Sequence, residues 1–91
     1  MYLHLGNNTV IRTEMIIGIF DLESSTLSFK TREFLNSCEK KGMVVNVSSE
    51  LPKSFVLCRE NGQNKIYICQ LSPVTLMKRA SQPGKMADEK I

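Results

Sequence analysis

Hydrophobic residues are densest at Met15–Leu22, Met-Ile-Ile-Gly-Ile-Phe-Asp-Leu, where six of eight positions are apolar. The run follows neither a two-residue nor a 3.6-residue period, so both of its faces call for burial. Its brevity and its three isoleucines favour a strand over a helix. It is therefore expected to be the middle strand of one sheet, with Gly18 leaving room for close packing against the backbone. Ahead of it, Tyr2–Leu5 alternates, with Leu3 and Leu5 on one face and Tyr2 and His4 on the other. Gly6-Asn7-Asn8 supplies turn chemistry, and Thr9–Arg12 returns as the second strand of a hairpin.

Beyond it, Ser24-Ser25-Thr26 offers caps for a helix to about Lys41. Leu27, Thr31, Phe34, Leu35 and Cys38 form the expected inner stripe, and Gly42 stands at the usual stop position. Met43–Val47 is too short to be anything but a strand, and Ser48–Pro52 reads as a loop. Lys53–Glu60 and Lys65–Leu71 flank Asn61-Gly62, the strongest short hairpin signal. Ser72-Pro73 then opens a helix to about Ala80. Val74 and Met77 are expected to pack inward, with Lys78 and Arg79 reaching solvent. From Ser81 the chain turns polar and charged, which predicts a flexible tail over 81–91. The reading is a single α+β domain over 1–80 with order βββ-α-βββ-α, a mostly antiparallel sheet and helices packed on one side.

Ninety-one residues suit one small domain whose modest core gains from association. A net charge of +3 permits nucleic acid as a partner without demanding it. The ten basic and seven acidic residues before the tail carry all of that charge. Among them Arg12 ends the hairpin, Lys53 follows the Pro52 loop, and Lys78 and Arg79 sit on the last helix. These four are the candidate phosphate contacts. Few aromatic residues stand among them to stack single-stranded bases.

Catalytic chemistry is poorly represented. The five glycines are scattered and build no phosphate loop. Cys38, Cys58 and Cys69 lack metal-ligand spacing and fall at apolar positions, as small core residues do. His4 is the only histidine and has no neighbouring carboxylate. Asp21 ends a buried-type strand, where an acid more often starts a turn than performs catalysis. No enzyme, cofactor or metal is expected. Nor is a signal peptide or a membrane span, which leads to a cytoplasmic protein.

Four stretches, Met1–Gly6, Met15–Leu22, Pro52–Leu57 and Leu71–Ala80, together resemble the RemA/RemB family of extracellular-matrix (biofilm) regulators. The likeness covers about residues 1–80 and rests on order and spacing. It implies a DNA-binding transcriptional regulator that assembles into a homo-oligomeric ring on double-stranded DNA, with a RemA-like protein as a further candidate partner. A ring repeats a weak basic patch many times, which yields avidity without new contacts. RemA carries an arginine pair in the loop before the strand that begins here at Lys53, and this chain has Glu50 and Leu51 there. Another RemA arginine falls on or near Glu14, two residues after Arg12. The alternative is a ring-forming protein-interaction module that does not bind DNA directly.

Overall fold

The computed structural model describes residues 1–81. The tail expected over 81–91 lies, after Ser81, outside the described residues. The domain is α+β, with strands β1 (Tyr2–Gly6), β2 (Thr9–Arg12), β3 (Ile16–Asp21), β4 (Val44–Asn46), β5 (Ser54–Glu60) and β6 (Gln63–Cys69). The helices are α1 (Leu22–Ser25), α2 (Phe29–Lys40) and α3 (Pro73–Ala80), and a single 3-10 turn spans Thr13–Met15.

Both hairpins form where turn chemistry places them. Asn7 and Asn8 both take positive φ (49° and 63°), as do Asn61 and Gly62 (54° and 80°). Two consecutive positive φ values match the twist of a two-residue hairpin, which is why Asn and Gly occupy them. Glu60 pairs with Gln63 across the second turn, and the ladder runs to Ser54–Cys69.

The strands divide between two sheets. β1 and β2 form their own two-stranded sheet, and the other four run in the order β3-β5-β6-β4. The centre is thus the β5–β6 hairpin, and β3 lies at an edge, paired antiparallel with β5. This corrects the expectation of a middle strand. Ile16 and Ile19 do pack on the core, but Ile17 is 56% exposed and Phe20 38% exposed. A bulge between Ile16 and Gly18 breaks the alternation that would bury Ile17. Phe20 stacks on Phe55 at 4.9 Å between ring centroids. A Cβ on Gly18 would lie 2.7 Å from the Phe20 ring, so the glycine gives that ring its place. At the opposite edge, β4 pairs parallel with β6.

The four-stranded sheet is covered on both faces, where helices on one side were expected. Val56, Cys58, Tyr67 and Cys69 pack with Leu3, Leu5 and Ile11 of the β1–β2 hairpin and with Leu76 of α3. Phe55 and Ile66, from the other face, pack with Cys38, Phe34 and Leu35 of α2. An odd–even split along β5 and β6 thus sends alternate residues to two separate cores.

Helix boundaries and faces also differ from expectation. α2 begins at Phe29, because Ser28 is its cap and accepts from the Thr31 backbone N–H at 3.4 Å. A separate one-turn helix, α1, precedes it, capped by Asp21. Leu27 falls in the break between them and is 80% exposed, outside the stripe assigned to it. In α3, Ser72 caps the Thr75 N–H at 3.2 Å as its sequence indicates. The inward residue is Leu76, fully buried, while Val74 and Met77 face out.

Candidate nucleic-acid interface

Arg12 leaves the end of β2 and is exposed, but its guanidinium is already engaged. Its Nη2 donates to Glu14 Oε2 at 3.2 Å, and the terminal ammonium of Met1 lies 3.6 Å from the other Glu14 oxygen. The Glu14 backbone N–H, then Arg12 and the N-terminal charge hold the Glu14 carboxyl well below the usual range, at about 2. Glu14 is therefore ionised at neutral pH, and the cation at this corner is partly neutralised.

Lys53 sits at the other end of β3. Its backbone bridges the strand ends, donating to the Cys69 carbonyl and accepting from the Leu22 N–H, each at 2.9 Å. Asp21 pairs with Ser54 at this end, while Ile16, next to the Thr13–Met15 turn, pairs with Cys58 at the far end. Six residues of strand, roughly 16–20 Å, therefore separate the Arg12 corner from Lys53. Within the described residues, neither Lys53 nor Lys78 stands within 4 Å of a carboxylate.

Arg79 is half-buried and serves the fold. Its Nη1 donates to the His4 carbonyl at 3.2 Å, tying α3 to β1. Lys78, its neighbour, is exposed. The structure thus sets Arg12 and Lys53 at opposite ends of β3, keeps Lys78 and Arg79 side by side on α3, pairs Arg12 with an acid and engages Arg79 on a carbonyl. The Glu14 pairing has a sequence signal, since an acid two residues from Arg12 is within reach of it. The Arg79 contact spans 75 residues and has none.

Asp21, the acid weighed for catalysis, takes a structural role, as do the buried side chains of Cys58 and Ser54. Asp21 Oδ2 accepts from both the backbone N–H and the hydroxyl of Ser24 at 2.9 Å, bonds that lower its pKa. Cys58 is buried, and burial foremost pushes its thiol up to about 11, so it stays protonated and inert. Ser54, fully buried, donates to the Leu71 carbonyl at 2.8 Å and contacts Cys69 Sγ at 3.1 Å. Among the described residues no group of three or more His, Cys, Asp or Glu is placed to hold a metal, and no helix is long and apolar enough to cross a membrane.

Between β3 and α2 lies a cleft of about 240 Å³, lined mainly by Phe20, Phe34, Phe55 and Leu57 with Lys30 at its wall. The Ser48–Pro52 loop is largely exposed, and Leu51 is 82% exposed. Glu50 and Leu51 therefore meet solvent where an arginine pair would offer two cations.

A small α+β domain whose central sheet is covered on both faces, with few unengaged cations, is the structural class that these observations define. The chain belongs to the RemA-like family, described as extracellular matrix regulatory protein A-like, whose model matches residues 2–80. It is similar to extracellular matrix regulatory protein B of Bacillus subtilis (strain 168), with 41% identity over 80 residues, 88% of this chain and 90% of that protein. The match covers both sheets and all three helices, and the family is named for regulation of the extracellular matrix.

Proposed function

We propose that this protein is an oligomeric, DNA-binding transcriptional regulator of extracellular-matrix (biofilm) genes, acting in the cytoplasm. Subunits close head-to-tail into a ring, the heterologous kind of contact that generates closed rotation. Arg12, Lys53, Lys78 and Arg79 meet the phosphates of double-stranded DNA as the ring repeats them. Family membership across the whole folded domain supports the regulatory role. The observation that carries the oligomeric part is how few of these cations one subunit leaves unengaged. A subunit of charge +3, with one arginine paired to Glu14 and another on a backbone carbonyl, holds a duplex weakly alone. Repetition around a ring multiplies those contacts.

Light scattering after size exclusion, with and without duplex DNA at two salt concentrations, tests the reading. The expected result is a multimer that retains DNA at low salt and releases it steeply at high salt. The Arg12→Ala/Lys53→Ala double variant should keep its mass and lose the DNA. Retention insensitive to both salt and those substitutions removes the phosphate-contact model.

One feature favours a second reading. Glu50 and the exposed Leu51 stand in the loop before β5, a composition suited to contact with protein more than phosphate. In that reading the ring is an interaction module, and a RemA-like protein is its candidate partner. Tight, stoichiometric DNA binding by the purified assembly counts against it.

A further inference from the structure

Hydrolysis of an asparagine amide in a protein begins with the backbone, and the six asparagines of this chain are unequally placed for it. The main-chain nitrogen of the following residue must reach the asparagine Cγ. A side chain on that residue obstructs the approach, whereas glycine, with its wide backbone freedom, permits it. Asn61 alone is followed by glycine. Asn61 and Gly62 are exposed at the tip of the β5–β6 hairpin, with φ of 54° and 80°. A Cβ at Gly62 would meet nothing within 4 Å, so no neighbour crowds the tip.

We propose that Asn61 is a site of spontaneous covalent modification, where water converts its amide to a carboxylate through a cyclic imide formed with Gly62. The Gly62 nitrogen loses its proton to hydroxide and bonds to Asn61 Cγ, and the side-chain nitrogen leaves as ammonia. Water then opens the imide. Breaking the new Cγ–N bond gives aspartate. Breaking the bond between the Asn61 carbonyl carbon and the same nitrogen gives isoaspartate, whose main chain runs through Cβ. Water is consumed and ammonia released, with nothing oxidised or reduced.

The other asparagines are each held or obstructed. Asn7, in the first hairpin turn, donates Nδ2 to the Val47 carbonyl at 2.9 Å and precedes Asn8. Asn8 precedes the β-branched Thr9. Asn36 lies within α2 and Asn46 within β4, where the ladder or helix fixes the backbone. Asn64 lies in β6 and its Oδ1 accepts from Arg59 at 3.3 Å. Among the described residues, no hydrogen bond restrains the Asn61 side chain or the Gly62 N–H. Asn61 also stands just outside the terminal ladder pair, Glu60–Gln63, where local opening costs least.

The products disturb the hairpin from its tip. Isoaspartate adds a main-chain atom to a two-residue turn whose twist depends on positive φ at both positions. The Glu60–Gln63 pair is expected to open while Ser54–Cys69, at the far end, holds. Either product sets a second carboxylate next to Glu60, whose oxygens already meet the Tyr67 hydroxyl at 3.0 Å and Lys65 at 4.0 Å. Each conversion lowers the subunit's net charge of +3 by one.

The test incubates the full chain at neutral and mildly alkaline pH and maps its peptides by mass spectrometry over time. The peptide holding Asn61 is expected to gain the mass of an amide-to-acid exchange ahead of every other asparagine peptide, several-fold faster at the alkaline pH. Chromatography should resolve its product into aspartate and isoaspartate forms of equal mass. Gly62→Ala, checked for an unchanged circular dichroism spectrum, should slow the conversion several-fold. Conversion of Asn7 or Asn8 at the same rate as Asn61 overturns the assignment. So does an Asn61 that stays intact in the folded protein, with the urea-unfolded chain incubated in parallel as the control.

Discussion

Arg12 and Glu14 illustrate how a single neighbour decides the value of a cation. The pair lies at 3.2 Å, so a phosphate that binds Arg12 competes with a carboxylate already in place. Glu14→Gln is expected to tighten DNA retention several-fold at fixed low salt, measured by fluorescence anisotropy with a labelled duplex. The same carboxylate, with Asp21, gives the fold an acid-sensitive component. Both folded pKa values lie below their unfolded values, so their stabilisation is present above the unfolded pKa and lost as pH falls through the folded one. For Glu14 the window runs from 4.5 down to about 2. Thermal melts in that range should show the Glu14→Gln variant losing less stability on acidification than the parent. Arg79 offers a contrasting case. Arg79→Ala should lower unfolding stability by about 1–2 kcal/mol in urea, through loss of its charged hydrogen bond to His4. Lys78→Ala should leave stability unchanged and weaken DNA retention alone.

At the scale of elements, α3 and β3 hold the domain's two exposed flanks differently. α3 has eight residues and anchors itself through one fully buried side chain, Leu76, with Ser72 as its cap. Leu76→Ala is expected to cost about 2–5 kcal/mol, enough to unfold much of so small a domain. Ser72→Ala should cost about 1 kcal/mol, both read by chemical denaturation. β3 depends on Gly18 beneath the Phe20 ring. Its φ is not in the left-handed region, so Gly18→Ala strains no backbone; it displaces a ring that can partly swing away. A loss of about 1 kcal/mol follows from overpacking, with the Phe20–Phe55 stack disrupted.

For the whole molecule, the proposed function turns on multiplicity. Four phosphate contacts from a lone subunit give a slope of log affinity against log salt of about −3.6. A ring engaging several subunits gives a steeper slope, and titrating a labelled duplex over a salt series distinguishes the two. A slope at or shallower than the single-subunit value would mean that repetition adds nothing to the grip.

Much of this architecture was legible from local chemistry. The Asn61-Gly62 hairpin, the Asn7-Asn8 turn, the Ser72 cap and the alternate faces of β5 and β6 all follow from contacts within a few residues. Those contacts depend on backbone preference and side-chain period, which are properties of the chain itself. Likeness over residues 1–80 was equally visible, since order and spacing survive without any structure. Tertiary structure alone decided that β3 lies at an edge, that β4 runs parallel beside β6, and that helices cover both faces. It also decided that Leu76, rather than Val74 or Met77, faces the core, and that Arg79 grips a carbonyl 75 residues away. Each of these depends on which segments meet across long stretches of chain. An apolar run such as Ile16–Phe20 calls for burial equally well inside a sheet or against another molecule, and only the neighbours that arrive determine which.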